Sequence, residues 1–286
     1  MNKWIAGARP RTLPASISPV LVGTALRHSD HLGVNWFNAL LALIVSLALQ
    51  LAVNYANDYS DGIRGTDSNR VGPMRLVGSG AASAIAVKAA AYLSFLAASI
   101  AGVALASRTS YWLVGVGAIA IIAAWTYTGG VKPYGYIGLG EISVFLFFGL
   151  VATMGSYFVQ AAALNWKSLL VSLPVGAMSC AILAINNLRD LPKDLLVNKK
   201  TLAVRLGDKK ARYFFLSLLA LAFGSALLIS LFSPWVFAVI ILIPATLELT
   251  RKIRTGTAGS ELIPLLGETG RIQLLLSGVI AIALFA

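Results

Sequence analysis

The 286-residue sequence predicts an all-α protein, a multi-span transmembrane helical bundle of about nine helices. Three observations predict it. Hydrophobic residues make up 58% and charged residues 12%, against about 45–50% apolar and about 25% charged in soluble domains. The apolar residues gather in uncharged runs, and about 20 such residues cross a bilayer. Twenty of the 23 lysines and arginines flank those runs on one side, the asymmetry that marks cytoplasmic loops. Disorder, collagen and coiled coil are excluded, because each needs a polar or periodic composition. The net charge of +12 alone leaves nucleic acid, anionic lipid and an anionic substrate open as partners, and the placement of the charges leaves no need for nucleic acid.

The first span is expected over residues 12–26, behind Lys3, Arg9 and Arg11. Pro14 and Pro19, and the lack of a small-x-small cleavage site before Arg27, make it a retained helix rather than a signal peptide. Residues 36–57, 89–107, 111–131, 142–166 and 168–188 each qualify as a span alone. Residues 213–247 are uncharged but broken by Ser233-Pro234, so they read as two spans back to back. The last span is expected over 272–286. All six tryptophans fall near predicted span ends, as an interfacial belt requires. The whole chain, 1–286, reads as one integral-membrane domain, with pseudo-repeat halves at roughly 1–135 and 136–250 and then a last helix. Cys180, the single cysteine, excludes an intrachain disulfide and reads as a small buried hydrophobe.

Ten of the eleven acids follow the bases to the cytoplasmic side, Asp30 being the exception. A positive-inside rule does not explain that. The second span ends in Asn54, Asn57, Asp58 and Asp61, followed by Asp67, Arg70 and Arg75. Four spans later the sixth ends in Asn186, Asn187, Arg189, Asp190 and Asp194. On continuing helices, Asn54, Asp58 and Asp61 share a face, as do Asn187, Asp190 and Asp194. Oxygen-only side chains with no His or Cys nearby suit a hard cation, Mg²⁺ rather than Zn²⁺, and neighbouring Lys and Arg complement phosphate. Either cluster alone could equally be a solvated turn. Their recurrence at the membrane edge, where polar groups are costly, favours a two-part site. Lys132, amid Tyr127, Tyr134 and Tyr136, reads either as a phosphate ligand beside an aromatic wall or as one cytoplasmic charge among interfacial tyrosines. Lys199, Lys200 and Arg205 read as ordinary loop bases.

These residues resemble the UbiA-like intramembrane prenyltransferase superfamily, whose members have nine helices and two aspartate-rich motifs. The stretch from Asn54 to Asp67, continuing into Arg70 and Arg75, resembles the first motif of the 1,4-dihydroxy-2-naphthoate polyprenyltransferase branch of menaquinone biosynthesis. The stretches from Ala8 to Pro14, Lys132 to Tyr136, Asn186 to Asp190 and Thr201 to Gly207 are similar to its other signatures. Asn198 stands where that branch usually has glycine, and Asn tolerates positive φ, so the turn is expected to survive. The resemblance implies Mg-dependent transfer of a polyprenyl group from a polyprenyl diphosphate to 1,4-dihydroxy-2-naphthoate, with decarboxylation, in the cell membrane with the active site on the cytoplasmic side. It implies Mg²⁺ held by Asp58, Asp61, Asp190 and Asp194, which would be catalytic, with Asn54, Asn57 and Asn187 in support. Arg70, Arg75, Lys132 and Arg189 would contact diphosphate, and Tyr127 and Tyr134 the aromatic substrate.

Another aromatic acid, such as 4-hydroxybenzoate, is the alternative acceptor. A CDP-alcohol phosphotransferase is disfavoured, because Gly65-Thr66 fills a required motif slot and no acid lies between Asp67 and Glu141. A secondary transporter is the alternative from another class. Its central site should be reachable from both sides, whereas these polar residues crowd one face.

Overall fold

The computed structural model describes residues 2–31, 33–66 and 72–286, and no strand occurs among them. The helices are α1 (Lys3–Ala8), α2 (Pro14–Ser29), α3 (Trp36–Ile63), α4 (Ala84–Arg108), α5 (Trp112–Thr126), α6 (Gly140–Ala161), α7 (Trp166–Leu196), α8 (Leu202–Ile229), α9 (Ile243–Arg254) and α10 (Leu262–Phe285). That makes ten among the described residues, where about nine was expected. The additional one, α1, carries a charge and only six residues, so a search for long uncharged runs passes over it. Among the described residues, six helices are long and apolar enough to cross a membrane: α3, α4, α6, α7, α8 and, with the turn before it, α10.

Several helices outrun the uncharged segments that predicted them. The Asn35 side chain accepts the Asn38 N–H to start α3, which then continues past Asn57 to Ile63. A capping box between Asn165 and Ser168 starts α7, and Pro174 and Pro192 are both accommodated inside it. Charges at Glu268 and Arg271 end the apolar run but not the helix, so α10 begins at Leu262 rather than near residue 272. The 213–247 segment does break near Ser233-Pro234. Its second part opens as a 3₁₀ helix, Pro234–Leu242, before α9. Asn198 has φ 54°, as the turn before α8 requires.

Packing is lopsided. The most apolar window of α7 is 78% buried, and α2, α6, α8 and α10 surround it. Met178, Ile185, Phe215, Ile229, Leu276 and Ile280 form the fully buried centre of that half. A seven-residue π-helical segment of α6, Phe145–Val151, lies directly on α7. Side chains are excluded at the crossing, since a Cβ on Gly149 would stand 2.5 Å from the Gly176 Cα. The other half is hollow. There α5 packs mainly on α3 and α4 and buries none of its residues, so the space between α3, α4, α5, α6 and α7 stays open.

At the end of the bundle remote from the acidic motifs, Asp30 accepts hydrogen bonds from Tyr157 Oη (2.6 Å), Lys167 Nζ (2.8 Å) and Asn165 Nδ2 (3.1 Å). Burial raises the pKa of this carboxyl, but the hydrogen bonds from Lys167, Tyr157 and Asn165 outweigh it and hold Asp30 below the usual carboxylate range.

Candidate active site

The open space is a chamber of about 430 Å³. Its deeper walls are apolar, from Val45, Leu49 and Val53 on α3, Val114 and Ile121 on α5, and Phe147 and Phe148 on the π-helical segment. Its rim is polar. Asn54, Asn57 and Asp61 reach it from α3, and Asn186, Asn187 and Asp190 from α7, with Arg9, Arg75, Tyr127, Thr128, Tyr134 and Lys199 between them. The two sequence-distant clusters therefore face one space.

The first motif divides its labour. Asp61 is 3% exposed, its Oδ1 accepting from Tyr136 Oη at 2.7 Å and its Oδ2 3.8 Å from Arg75 Nη2. Asn57 Oδ1 accepts from Thr128 Oγ1 at 2.7 Å. Asn54 is a strut: Nδ2 donates to Ala8 O (2.8 Å) and Thr12 Oγ1 (3.2 Å), and Oδ1 accepts from Gln50 Nε2 (3.2 Å). Asp58 departs from expectation. It is fully buried, it does not line the chamber, and its Oδ2 and Oδ1 accept the backbone N–H groups of Leu76 (2.8 Å) and Val77 (3.0 Å). At about 100° of helical rotation per residue, Asp58 stands about 60° round from Asp61 and meets the returning loop instead. Gly62 admits that loop, since a Cβ there would lie 2.5 Å from Val77 Cβ.

In the second motif Asp190 lines the chamber, and Arg189 grips it in a bidentate pair, Nε to Oδ1 and Nη2 to Oδ2, both 2.7 Å. Arg189 is thereby committed to its neighbour rather than placed on the chamber wall. Asp194, 4% exposed, lies one turn further out, with Lys199 Nζ 3.8 Å from its Oδ1. Asn187 donates from Nδ2 to Glu141 Oε1 at 2.9 Å. Lys132 is exposed and away from the chamber, in the bend before buried, extended Pro133. Arg70 lies outside the described residues. Tyr127 and Tyr134 meet edge to face, with centroids 5.5 Å apart on the chamber wall, and Tyr134 Oη bonds Ala123 O and Ser143 Oγ, both at 2.8 Å.

Two residues outside the expected set join the motifs. The Tyr136 hydroxyl donates to Asp61, its ring lies beneath the Lys199 ammonium at 4.9 Å, and its carbonyl accepts the Lys200 N–H at 2.9 Å. Burial, then the Asp61 charge, pushes the Tyr136 pKa up, so it stays a donor. Lys199 lines the chamber instead of being an ordinary loop base. The one signal for Tyr136 was its place in the stretch from Lys132 to Tyr136, two residues after Tyr134. Arg64 steadies this corner by donating to the carbonyls of Thr128 and Gly130.

Among the described residues no three His, Cys, Asp or Glu side chains form a metal cage. The donors present are carboxylate and amide oxygens from two helices facing one space. That set fits Mg²⁺, which takes one or two carboxylates and completes its shell with water and phosphate oxygens. Asp61, Asp190 and Asp194 each have a cation beside them, so the rim offers both halves of what a metal–diphosphate pair needs.

The sequence profile of the UbiA prenyltransferase family matches residues 16–258. The chain is 48% identical over 282 residues to a 1,4-dihydroxy-2-naphthoate octaprenyltransferase of Mycobacterium tuberculosis, covering 99% of this chain and 96% of that one. A protein of the same description from Mycobacterium leprae is 46% identical over 268 residues, covering 94% and 91%. The fold is similar to that of a UbiA homologue from Archaeoglobus fulgidus solved with GPP and Mg²⁺, with a TM-score of 0.71 at 15% identity and 99% of both chains covered. The chain belongs to the UbiA prenyltransferase family and is an integral-membrane prenyltransferase.

Proposed function

We propose that this prenyltransferase moves a polyprenyl group from a polyprenyl diphosphate to 1,4-dihydroxy-2-naphthoate with loss of carbon dioxide, giving demethylmenaquinone in its quinol form. The observation that carries the reading is the single chamber, with a rim of acids and amides from both motifs above apolar walls. The M. tuberculosis and M. leprae relatives support the acceptor, and the ligands of the A. fulgidus homologue support the donor and the metal.

Asp61 and Asp190 would hold Mg²⁺ at the rim, with Asp194 one turn further out in support and Asn57 and Asn187 offering neutral oxygens. Bound there, Mg²⁺ supplies positive charge against the diphosphate leaving group. Arg75 and Lys199 add cations at the same rim and stabilise the charge that develops as the allylic C–O bond breaks and its electron pair passes to the diphosphate. The acceptor ring rests against Tyr127 and Tyr134. A C–C bond forms at the ring carbon bearing the carboxylate, and the departing carbon dioxide leaves its bonding pair in the ring. The apolar walls exclude water that would otherwise capture the prenyl cation. The thin α5 wall lets a long tail run towards lipid. The cation excess on the motif side supports a site at the cytoplasmic face of the cell membrane.

The test is purified protein with radiolabelled octaprenyl diphosphate, Mg²⁺ and either 1,4-dihydroxy-2-naphthoate or 4-hydroxybenzoate. Label should enter the naphthoate product alone, with one carbon dioxide released per transfer, and chelation should abolish it. Equal labelling of both acids, or labelling that survives chelation, contradicts the reading.

A further inference from the structure

Glu141 opens α6 and is 5% exposed. Asp61, Asp190 and Asp194 each lie beside a cation, and Asp58 lies against two backbone amides. Glu141 has neither. Its Oε1 accepts one hydrogen bond, from Asn187 Nδ2 at 2.9 Å, and its Oε2 is buried with no hydrogen-bond partner. An acid whose task was to hold the fold together would be satisfied on both oxygens. Leucine or glutamine would occupy this depth at lower cost.

The bond to Asn187 has a consequence for the rim. A carboxamide presents a donor at one end and an acceptor at the other, and an ionised carboxylate accepts only. With Nδ2 engaged by Glu141, Asn187 Oδ1 is turned away from Glu141, on a side chain that lines the chamber one turn from Asp190. Were the amide to flip, it would present N–H groups to a cation. We infer that Glu141 is a positioning residue that fixes the Asn187 amide with its oxygen towards the rim, so that the second motif offers a cation an oxygen and not a donor. The inference rests on the metal–diphosphate reading above.

The test measures the Mg²⁺ concentration giving half-maximal prenyl transfer, alongside the naphthoate KM and the melting temperature in detergent. Removing a group that orients a metal ligand typically weakens the metal by about 10–100-fold. Glu141→Leu should therefore raise half-saturating Mg²⁺ by roughly tenfold or more, with naphthoate KM within about twofold of wild type. Glu141→Gln, which keeps an acceptor, should stay within about threefold. Asn187→Asp has no N–H to present to a cation, but it sets a second carboxylate against Glu141, and that repulsion should turn the side chain off the rim and raise half-saturating Mg²⁺ as well. The exchange Glu141→Gln with Asn187→Asp reverses donor and acceptor and should recover wild-type Mg²⁺ dependence to within about threefold, a non-additivity that contact requires. The exchange also serves if Glu141→Leu does not fold. Unchanged Mg²⁺ dependence in a folded Glu141→Leu protein, or an exchange no better than Asn187→Asp alone, overturns the inference. Wild-type protein without Mg²⁺-dependent transfer overturns the functional reading and the inference with it.

Discussion

The Asp58 carboxylate accepts the Leu76 backbone N–H at 2.8 Å, and its other oxygen takes the Val77 N–H at 3.0 Å. This bond ties the first acidic motif to the loop that carries Arg75, whose guanidinium stands 3.8 Å from Asp61. Asp58 thus acts on the rim through another residue, while Asp61 faces the chamber itself.

Asp58→Asn replaces one accepting oxygen with a donor that faces an N–H group. Leaving a buried amide unsatisfied costs about 1–3 kcal/mol, so the melting temperature should fall. With Arg75 loosened, the KM for prenyl diphosphate should rise while half-saturating Mg²⁺ stays within about threefold of wild type, because no ligand is lost. Steady-state kinetics over both concentrations check this, and a large shift in Mg²⁺ dependence would return Asp58 to the metal.

The contact between Gly149 and Gly176 is backbone against backbone, so no side chain can yield to an added methyl group. Gly149→Ala should push the π-helical segment off α7 and destabilise the protein by about 1–3 kcal/mol. Thermal unfolding in detergent reads the loss. Gly155, where a Cβ meets nothing within 4 Å, is the control on the same helix, and its Ala variant should melt like wild type.

Asp30 titrates below its ordinary range because three donors hold its carboxylate. The unfolded chain, with a carboxyl pKa of about 3.9, then binds the proton more readily than the folded one. The stabilisation is present above that value and is lost as pH falls through the lower folded one. Melting temperatures from pH 7 down to 3 should show a drop below about pH 4 that Asp30→Asn reduces. An identical pH profile for the two proteins would contradict it.

Gly117 lines the chamber from α5, and a Cβ there has open space around it. Gly117→Phe should therefore fold and narrow the tail path. The ratio of kcat/KM for octaprenyl over geranyl diphosphate should fall by about tenfold or more, since a bulky side chain in a filled channel costs a kcal/mol or more. An unchanged ratio would route the tail elsewhere.

How far the sequence disclosed this depended on which physical signal each feature left. Long uncharged runs announced the membrane helices, and a pair of acid clusters at matching helix ends announced the rim. Helix α1 left no such signal, being short and interfacial. Periodicity put Asn54, Asp58 and Asp61 on one face, which is correct to within about 60°. It could not say that the chamber lies on the Asn57 side of that face and the returning loop on the Asp58 side. Lys199, and not Lys132, lines the chamber for a similar reason. Both are bases in loops on the motif side, and only the bend at residues 130–132 and the docking of Lys200 on Tyr136 decide which one reaches the chamber. The Glu141–Asn187 bond joins residues 46 apart on two consecutive spans, a separation that no local pattern encodes.

The central claim is that Asp61 and Asp190, from opposite sides of one rim, together hold the metal that draws off diphosphate. Its most direct measurement is the rate of diphosphate release from octaprenyl diphosphate and 1,4-dihydroxy-2-naphthoate against Mg²⁺ concentration, for wild type, Asp61→Asn and Asp190→Asn. Wild type should saturate with Mg²⁺, and each variant should fall by about 100-fold or more while remaining folded in detergent. A folded variant of either kind that releases diphosphate at the wild-type rate, with wild-type Mg²⁺ dependence, would contradict it.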